Sequence, residues 1–340
     1  MPKPVNRLLL FLTLCCGTGL TAAGQDIHFS QFFASPLTLN PALTGNFDGN
    51  LRVAGNYRNQ WPTINRAFTT SCVSVDFPIM TERIPENDRL AMGIMGYTDQ
   101  QADGALKNNF GSFTIAYHKG LDEDGFNRVS AGFQMVYNAK NLNTANLKFE
   151  DQLRSDGFTG VTNEIFSSRQ LNIGYFDLNA GITYSGTTAT NTNFYVGASI
   201  YHLTRPKESF RGGQFNLAQR YTVHGGVYVP VSAQLMLHGS GLYQSQAGAH
   251  ETVMGAALGY NFGDDYNEST TTFYFGSWYR FGDAIIPYVG LEFNKLRLGA
   301  TYDVNTSKLK TASSSRGGFE ISLIYVSKPS GERSMPCPKF

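Results

Sequence analysis

The sequence predicts an all-β protein: a transmembrane antiparallel β-barrel of about 14 strands with an N-terminal periplasmic arm. After residue 50, apolar and polar residues alternate in most of the chain, as in the stretches 176–184 and 296–304. Strands of roughly ten residues with aromatic ends and a polar second face are typical of barrels that meet lipid on one side only. No later segment approaches the roughly 18 to 20 apolar residues that a membrane-spanning helix needs.

Residues 1–24 have the features of a secretory signal peptide. Lys3 and Arg7 precede an apolar core at 8–16, and small residues follow at 22–24. This order is that of a signal removed by cleavage, so the mature chain is predicted to begin near Gln25 and to reside in the cell outer membrane. A lipoprotein signal is disfavoured because no small residue directly precedes the first cysteine of the core.

Charge and cysteine content exclude several classes of protein. The chain is nearly neutral, with 27 basic and 26 acidic residues, so no basic surface for nucleic acid is expected. The predicted mature chain keeps two cysteines, Cys72 and Cys337, which are too few for a disulfide scaffold or a zinc site. Since the first and last strands of a closed barrel are neighbours, a bond between these two cysteines is geometrically allowed.

The segment 25–49 does not follow the alternating pattern. It contains two prolines, a turn-forming Asn40-Pro41 pair, and several Phe and Leu residues that no strand accounts for. One interpretation is an arm packed inside the barrel or across its periplasmic mouth. The other is a docking element for a partner protein.

Alternation and turn residues together define the barrel, residues 50–328, with a C-terminal tail at 329–340. An even number of strands is what a barrel with both termini on the periplasmic side requires. The fourteen predicted strands are 50–60, 67–77, 89–98, 108–119, 127–138, 172–186, 192–203, 219–230, 233–245, 250–262, 271–282, 284–293, 295–304 and 316–328.

Loop lengths give the barrel a direction, because periplasmic turns are short and outer loops are longer. The long connections 139–171, 204–218 and 305–315 are predicted on the outer face. Tight turns at 230–232 and at Asn294 fall on the periplasmic face. The long connection 78–88 and the short one at 282–283 do not follow this rule. A short helix is expected only within 139–171, where it could act as a lid.

A barrel of this size has a lumen wider than its own side chains can fill, so it is either plugged or conducting. The sequence leaves these two alternatives open. Five side chains are predicted to face the lumen: Tyr228, Tyr288, Arg52, Arg58 and Arg297.

No enzyme, cofactor or metal centre is predicted. The six histidines occur singly, without the spacing of a metal site, and no nucleophile motif or phosphate-binding loop is present. Aromatic residues near strand ends are interpreted as a girdle at the membrane interface; they are Tyr57, Trp61, Trp278, Tyr279, Tyr288 and Tyr302.

Motifs at the two ends of the chain resemble those of the PorP/SprF family of Bacteroidetes membrane proteins. They are SQFFASPLTLNPALTG, YRNQW and CPKF. The matching residues are Gln31, Pro36, Asn40, Pro41, Ala42, Gly45, Tyr57, Arg58, Gln60, Trp61, Cys337 and Pro338.

The resemblance implies an outer-membrane barrel of the type IX secretion system, which exports proteins that carry C-terminal sorting domains. Its members resemble accessory factors that help to secrete or retain particular surface proteins, gliding adhesins among them. The implied partners are outer-membrane lipid, secretion components and a secreted adhesin-like cargo. The residues expected to bind a partner are Gln31, Pro36, Asn40, Pro41, Gly45, Arg58, Gln60 and Trp61. The alternative function is an outer-membrane channel or transporter for small or hydrophobic molecules.

Overall fold

The computed structural model describes residues 26–64, 68–166, 168–262 and 271–327. Its strands are β1 Leu51–Gln60, β2 Phe68–Ile79, β3 Arg89–Gln101, β4 Leu106–Gly120, β5 Asn127–Asn143, β6 Leu153–Arg154, β7 Gly157–Phe158, β8 Gln170–Thr187, β9 Asn193–Tyr201, β10 Arg220–Pro230, β11 Leu235–Gln246, β12 Ala249–Asn261, β13 Thr271–Arg280, β14 Ala284–Phe293, β15 Leu296–Asn305 and β16 Arg316–Ser327. Six helices of three or four residues accompany them: Phe32–Ala34, Pro36–Leu39, Pro41–Leu43, Thr144–Asn146, Glu150–Gln152 and Lys310–Ser313.

Fourteen of these strands form one closed antiparallel barrel, which confirms the predicted fold. Neighbours in the sheet follow the chain, except that β5 pairs with β8, because the small hairpin β6–β7 lies in their connection. The ring closes where β1 pairs with β16, from Leu51 opposite Ser327 to Gln60 opposite Gly318. Within the described residues, no helix is both long and apolar enough to span a bilayer.

The two faces of the wall match the alternation in the sequence. In β5, Phe133 and Met135 face outward and are exposed, whereas Ser130 and Gln134 face inward and are buried. Lumen-facing positions were predicted correctly for Arg52, Arg58, Tyr228 and Tyr288, all of which are buried. The apolar outer face is what lipid contact requires.

The predicted aromatic girdle needs a correction. Tyr57, Tyr279 and Tyr302 are exposed on the outside of the barrel, in keeping with an interfacial position. Trp278 and Tyr288 are buried and belong to the apolar cluster inside the lumen. Both residues lie on the inward-facing parity of their strands, so the alternation should have taken precedence over the aromatic character.

The barrel has two unequal ends. β1 begins and β16 finishes at one of them, here called the terminal end, which also carries the short turns 231–234 and 294–295. The opposite loop end carries the long connections 144–169, 202–219 and 306–315. Short turns face the periplasm and longer loops face outward in bacterial outer-membrane barrels, so we expect the terminal end to face the periplasm. The connection 144–169 contains two short helices and the β6–β7 hairpin.

Residues 26–49 lie inside the barrel, and we call them the plug. Asp26 hydrogen-bonds Gln246 at the loop end, and the chain leaves the lumen at the terminal end, where the Asn50 amide donates to the Ser327 carbonyl. Between them, nearly every residue from Phe29 to Phe47 is buried. Of the two placements predicted for this arm, inside the barrel or across its periplasmic mouth, the first is confirmed: the apolar residues that no strand accounts for are buried within the lumen, so the arm does not extend into the periplasm. The predicted signal peptide and the tail 329–340 lie outside the described residues.

Replacing Ile182 with Arg should destabilise the barrel by about 2–4 kcal/mol, because a charge on the lipid face near the bilayer midplane is poorly solvated. Ile182 is 61% exposed and lies within the apolar outward stretch 176–184 of β8. Urea unfolding in lipid vesicles measures the change. Asn172→Arg, on the same strand and face but in the polar part near the loop end, is the control and should cost about 0–1 kcal/mol. Equal costs at both positions would contradict the assigned lipid face.

Candidate functional site

The contact surface between plug and wall is the most highly organised part of the molecule. The plug makes three tight bends, at Ser30-Gln31, at Asn40-Pro41 and at Thr44-Gly45. Each bend exposes backbone groups that a strand ladder would otherwise pair, and buried backbone groups need partners. The wall supplies those partners through inward-facing polar side chains.

Asn40 links the plug to β8, β9 and β10. Its Nδ2 lies 3.1 Å from the carbonyl oxygens of both Ile182 and Ala198 and 3.0 Å from Nε2 of His224. Its Oδ1 accepts a hydrogen bond of 2.9 Å from the amide of Ala42. A side-chain amide both donates and accepts, so this one residue caps its own turn and contacts three wall strands.

Two wall glycines make room for the Asn40-Pro41 turn. Gly132 of β5 and Gly181 of β8 lie opposite each other in the sheet and face inward. A Cβ on Gly181 would lie 1.9 Å from Oδ1 of Asn40, and one on Gly132 would lie 2.4 Å from the carbonyl carbon of Pro41. Glycine is required here because plug and wall backbones approach too closely for any side chain.

A fully buried ion pair holds the Thr44-Gly45 bend. Nη2 of Arg52 lies 2.7 Å from Oδ2 of Asp76 and donates to the Leu43 carbonyl at 2.8 Å. The same Asp76 oxygen accepts from the amide of Gly45 at 2.6 Å. Gly45 has a φ of +73°, which favours glycine. The pair thus satisfies both a carbonyl and an amide of the plug.

Two further side chains bind the carbonyls of the same bend. Arg89 donates to the carbonyl oxygens of Gly45 and Phe47, at 2.8 and 2.6 Å. Nε2 of His118 donates to the Thr44 carbonyl at 2.7 Å, so its Nδ1 accepts from Ser130. The bend therefore has partners on β1, β2, β3 and β4.

Near the loop end, β13, β15 and β16 bind the start of the plug. The carboxylate of Glu320 accepts from the amides of Ser30 and Gln31, at 2.7 and 3.1 Å. The hydroxyl of Ser30 donates to Asp303 at 2.8 Å and accepts from Arg280 at 2.8 Å. Arg280 also pairs with Asp303 at 2.8 Å. This cluster contains charges of both signs, which is the usual condition for burying charge.

An apolar cluster on β11, β13 and β14 packs against the plug beside these charges. The ring of Phe33 lies 4.8 Å from Trp278, 5.4 Å from His238 and 5.5 Å from Tyr288, measured between ring centroids. The Trp278 Nε1 donates to the hydroxyl of Ser240 at 3.0 Å. Aromatic pairs at these separations stabilise beyond their area alone. The plug is held by packing as well as by hydrogen bonds.

The first described residue, Asp26, is bound at the loop end. It lies 2.7 Å from Nε2 of His202 and 3.5 Å from Arg220, and His202 also binds Asp177. Burial lowers the pKa of His202, but the two carboxylates outweigh it and raise the pKa to about 9. The stabilisation from this histidine is complete below its ordinary pKa of about 6.5 and is lost as the pH rises through about 9.

A cavity of about 70 Å³ remains beside this ion pair, between the plug and the wall strands β3, β4, β5 and β8. Tyr97, Asp99, Asn138 and Tyr175 are among the residues that line it. This volume holds a few water molecules at most, so among the described residues the plug fills this part of the lumen apart from small spaces.

Six of the eight residues predicted to bind a partner lie within the plug–wall contact surface: Gln31, Pro36, Asn40, Pro41, Gly45 and Arg58 are all buried. Gln60 and Trp61 lie at the loop end of β1 and are half-buried. The buried six make contacts between plug and wall in this structure. Partner binding at all eight residues stays a prediction.

Sequence reasoning missed the wall residues that complete the site, chiefly Asp76, Glu320, Gly132 and Gly181. All four occupy inward-facing positions of their strands, which alternation could have identified. Among the described residues, no group of His, Cys, Asp and Glu could hold a metal ion. Cys72 is buried and forms no disulfide with a described residue; the bond to Cys337 that the barrel geometry allows involves a residue outside the described part of the chain.

Replacing Asp76 with Asn should lower the free energy of unfolding by about 3–5 kcal/mol, because it leaves the Arg52 guanidinium buried without a counter-charge. The measurement is urea unfolding of the barrel in vesicles. Glu123→Gln, an equal change of charge at an exposed position of the 121–126 turn, is the control and should cost less than about 0.5 kcal/mol. An Asp76→Asn barrel as stable as the control would show that the pair does not hold the plug.

Solved structures similar to this chain are outer-membrane barrels. A FadL homologue of Pseudomonas aeruginosa aligns with a TM-score of 0.45 and 10% identity, covering 84% of this chain and 92% of that one. The CymD monoaromatic hydrocarbon channel aligns with a TM-score of 0.44 and 11% identity, covering 92% and 97%. BamA of Haemophilus ducreyi aligns with a TM-score of 0.40 and 11% identity, covering 82% and 70%.

A search of the curated proteins finds no match. A family model described as "Type IX secretion system membrane protein PorP/SprF" matches residues 21–325. That range includes the plug, all fourteen barrel strands except the last two residues of β16, and the motifs SQFFASPLTLNPALTG and YRNQW. The chain therefore belongs to the PorP/SprF family of type IX secretion system membrane proteins.

Proposed function

We propose that this barrel assists the secretion or surface anchoring of a specific cargo, such as an adhesin that serves gliding, and that it performs no catalysis. Its partners are components of the type IX secretion system, the cargo and the lipid of the outer membrane. The chain reaches that membrane after residues 1–24 are removed as a signal peptide. Family membership supports the link to secretion; the cargo and the role in gliding belong to the proposal.

The plug buried in the lumen is the observation that carries this proposal. The plug is buried along most of its length. The Arg52–Asp76 ion pair of the wall binds it, its own Asn40 hydrogen-bonds the wall, and its Phe33 packs in an apolar cluster with wall residues. Displacing it would expose buried charges and apolar rings together. A barrel built this way is suited to presenting fixed surfaces at its two ends, and poorly suited to conducting solutes through its centre.

The loop end offers the surface that we assign to cargo. Its longest connection, 144–169, carries Val161 and Ile165, each 85% exposed, and exposed apolar side chains favour contact with another protein. Gln60 and Trp61 border the same end. We place cargo at this end and the secretion components at the terminal end, where β1 begins and β16 ends.

The intact barrel should show no steady conductance in a planar bilayer, because the plug fills the lumen. A variant lacking residues 26–47 should conduct, since a ring of fourteen strands encloses more space than its wall side chains fill. Steady conductance of the intact protein would favour the alternative function as a channel or transporter.

A point variant covers the case in which the deletion fails to fold. Gly181→Leu displaces the Asn40 turn, since even a Cβ there would lie 1.9 Å from Asn40, and it should produce brief conducting events. Gly111→Leu is the matched control, because a Cβ at Gly111 meets nothing within 4 Å. The Gly111→Leu barrel should show no conductance in the bilayer.

Loss of the barrel should trap a particular surface protein inside the cell or release it into the medium. Surface labelling of cells with and without the gene, followed by quantification of proteins that carry C-terminal sorting domains, measures this. Cells that carry the Gly111→Leu variant should display the protein normally. Unchanged display of every such protein in the deletion strain would contradict the proposed function.

A further inference from the structure

The wall of the barrel has a step at the loop end, between β8 and β9. β8 pairs with β5 over its full length, from Gln170 opposite Asn143 to Gly186 opposite Asn127. Its pairing with β9 begins only at Ala180, opposite Ile200. The first ten residues of β8 therefore have a neighbour on one side only, and we call 170–177 the open edge.

The backbone groups that face the open side can be identified by parity. The Leu178 carbonyl accepts from the Leu203 amide, so residue 178 directs its backbone groups away from β5. In an antiparallel strand, every second residue points the same way. The amides and carbonyls of Asn172, Gly174 and Phe176 consequently face the open side. Among the described residues, no hydrogen bond reaches these groups.

The open edge is not covered by the neighbouring loop. The connection 202–219 turns inward over the lumen, where Glu208 binds Lys140 at 2.6 Å and Tyr175 at 2.8 Å. Its backbone hydrogen bonds to β8 end at the Leu178 carbonyl, which accepts from the Leu203 amide. The stretch 170–177 contains no proline, lysine or bulge, which are three common protections of edge strands. Its one charged residue, Asp177, points inward and accepts a hydrogen bond from Thr204.

The outward side chains place the edge above the membrane. Phe176, 69% exposed, contacts Tyr137 at 5.0 Å between ring centroids, as expected of an aromatic belt at the lipid interface. Beyond these rings, the outward positions of β4, β5 and β8 become polar, with Asn109, Asn141 and Asn172. The edge beyond Phe176 is therefore in water, within reach of proteins at the cell surface.

We propose that the open edge binds an extended segment of another surface-exposed protein, which adds to the barrel wall as a further strand. The backbone amides and carbonyls on the open side have no hydrogen-bond partner among the described residues. An added strand would satisfy each of them, because its own carbonyls and amides alternate in the same way. The outward face of Gly174 is covered by the Tyr137 ring, since a Cβ there would lie 2.7 Å from the Tyr137 hydroxyl oxygen, so the approach is to the backbone groups along the edge. The open edge thus adds a docking site to the barrel. The statement that the bound protein is the secreted cargo rests on the anchoring function proposed above.

A second copy of the chain fits the edge poorly. Two barrels upright in one membrane are related by rotation about the membrane normal, and barrel strands tilt by about 35–45° from that normal. Rotation by a two-fold axis then leaves the two edges crossing at a wide angle. Antiparallel pairing of identical strands needs a two-fold axis perpendicular to them, which would invert one barrel. The partner is thus a different protein.

Amide hydrogen exchange tests this inference. We expect the amides of Asn172, Gly174 and Phe176 to exchange about tenfold or more slowly in outer-membrane vesicles from the producing cell than in the purified barrel in detergent. The amides of Ile173 and Tyr175, paired with β5, are the internal control and should be protected in both. Equal rates at the three edge amides would overturn the proposal. Protection in vesicles rebuilt from purified barrel and extracted lipid would also overturn it, since only lipid and further copies are present there.

A pair of variants separates backbone pairing from side-chain effects. Asn172→Pro removes a donor on the open side alone and should abolish the protection of Gly174 and Phe176 in native vesicles, whereas Asn172→Ala should retain it. Protection of Ile173 in each variant shows that β8 is folded. Protection that survives Asn172→Pro would contradict strand addition. If cargo display falls in the deletion strain but is normal with Asn172→Pro, the proposed function stands and the edge is excluded as its cargo site.

Discussion

The structure depends on one constraint: fourteen strands that close into a ring enclose more space than their inward side chains can fill. The chain meets this constraint with its own N-terminal segment. Because the plug must bend to fit, it brings unpaired backbone groups into the lumen, and the wall must pair them. The inward positions of Asp76, His118 and Glu320 follow from that requirement, since each binds a backbone group of the plug.

This arrangement also determines which surfaces can serve function. With the lumen occupied and the outer wall facing lipid, the two ends of the barrel remain for contact with other proteins. The loop end carries long connections, exposed apolar residues and the open edge of β8, whereas the terminal end carries short turns. The asymmetry fits a protein that holds something at the cell surface, in keeping with a family defined by secretion.

The fold could be predicted from the sequence because lipid and lumen impose opposite demands on successive residues. All fourteen strands were located by that alternation. The plug was recognised as an exception and its place inside the barrel was one of the interpretations, but the sequence left the alternatives open because local pattern does not report which apolar surface a segment will cover. Trp278 was assigned to the membrane interface on its chemistry, although its parity pointed into the lumen. Gly132 and Gly181 resembled any other strand glycine until Asn40 was seen against them.

The most direct test of the account measures amide exchange across the plug in the folded barrel. If the plug is a permanent part of the lumen, amides between Ser30 and Asn46 should exchange only when the barrel unfolds, at the rate of the central strand amides. Rapid exchange of these plug amides, with the strand amides still protected, would show that the segment moves freely within an open barrel and would contradict the sealed lumen.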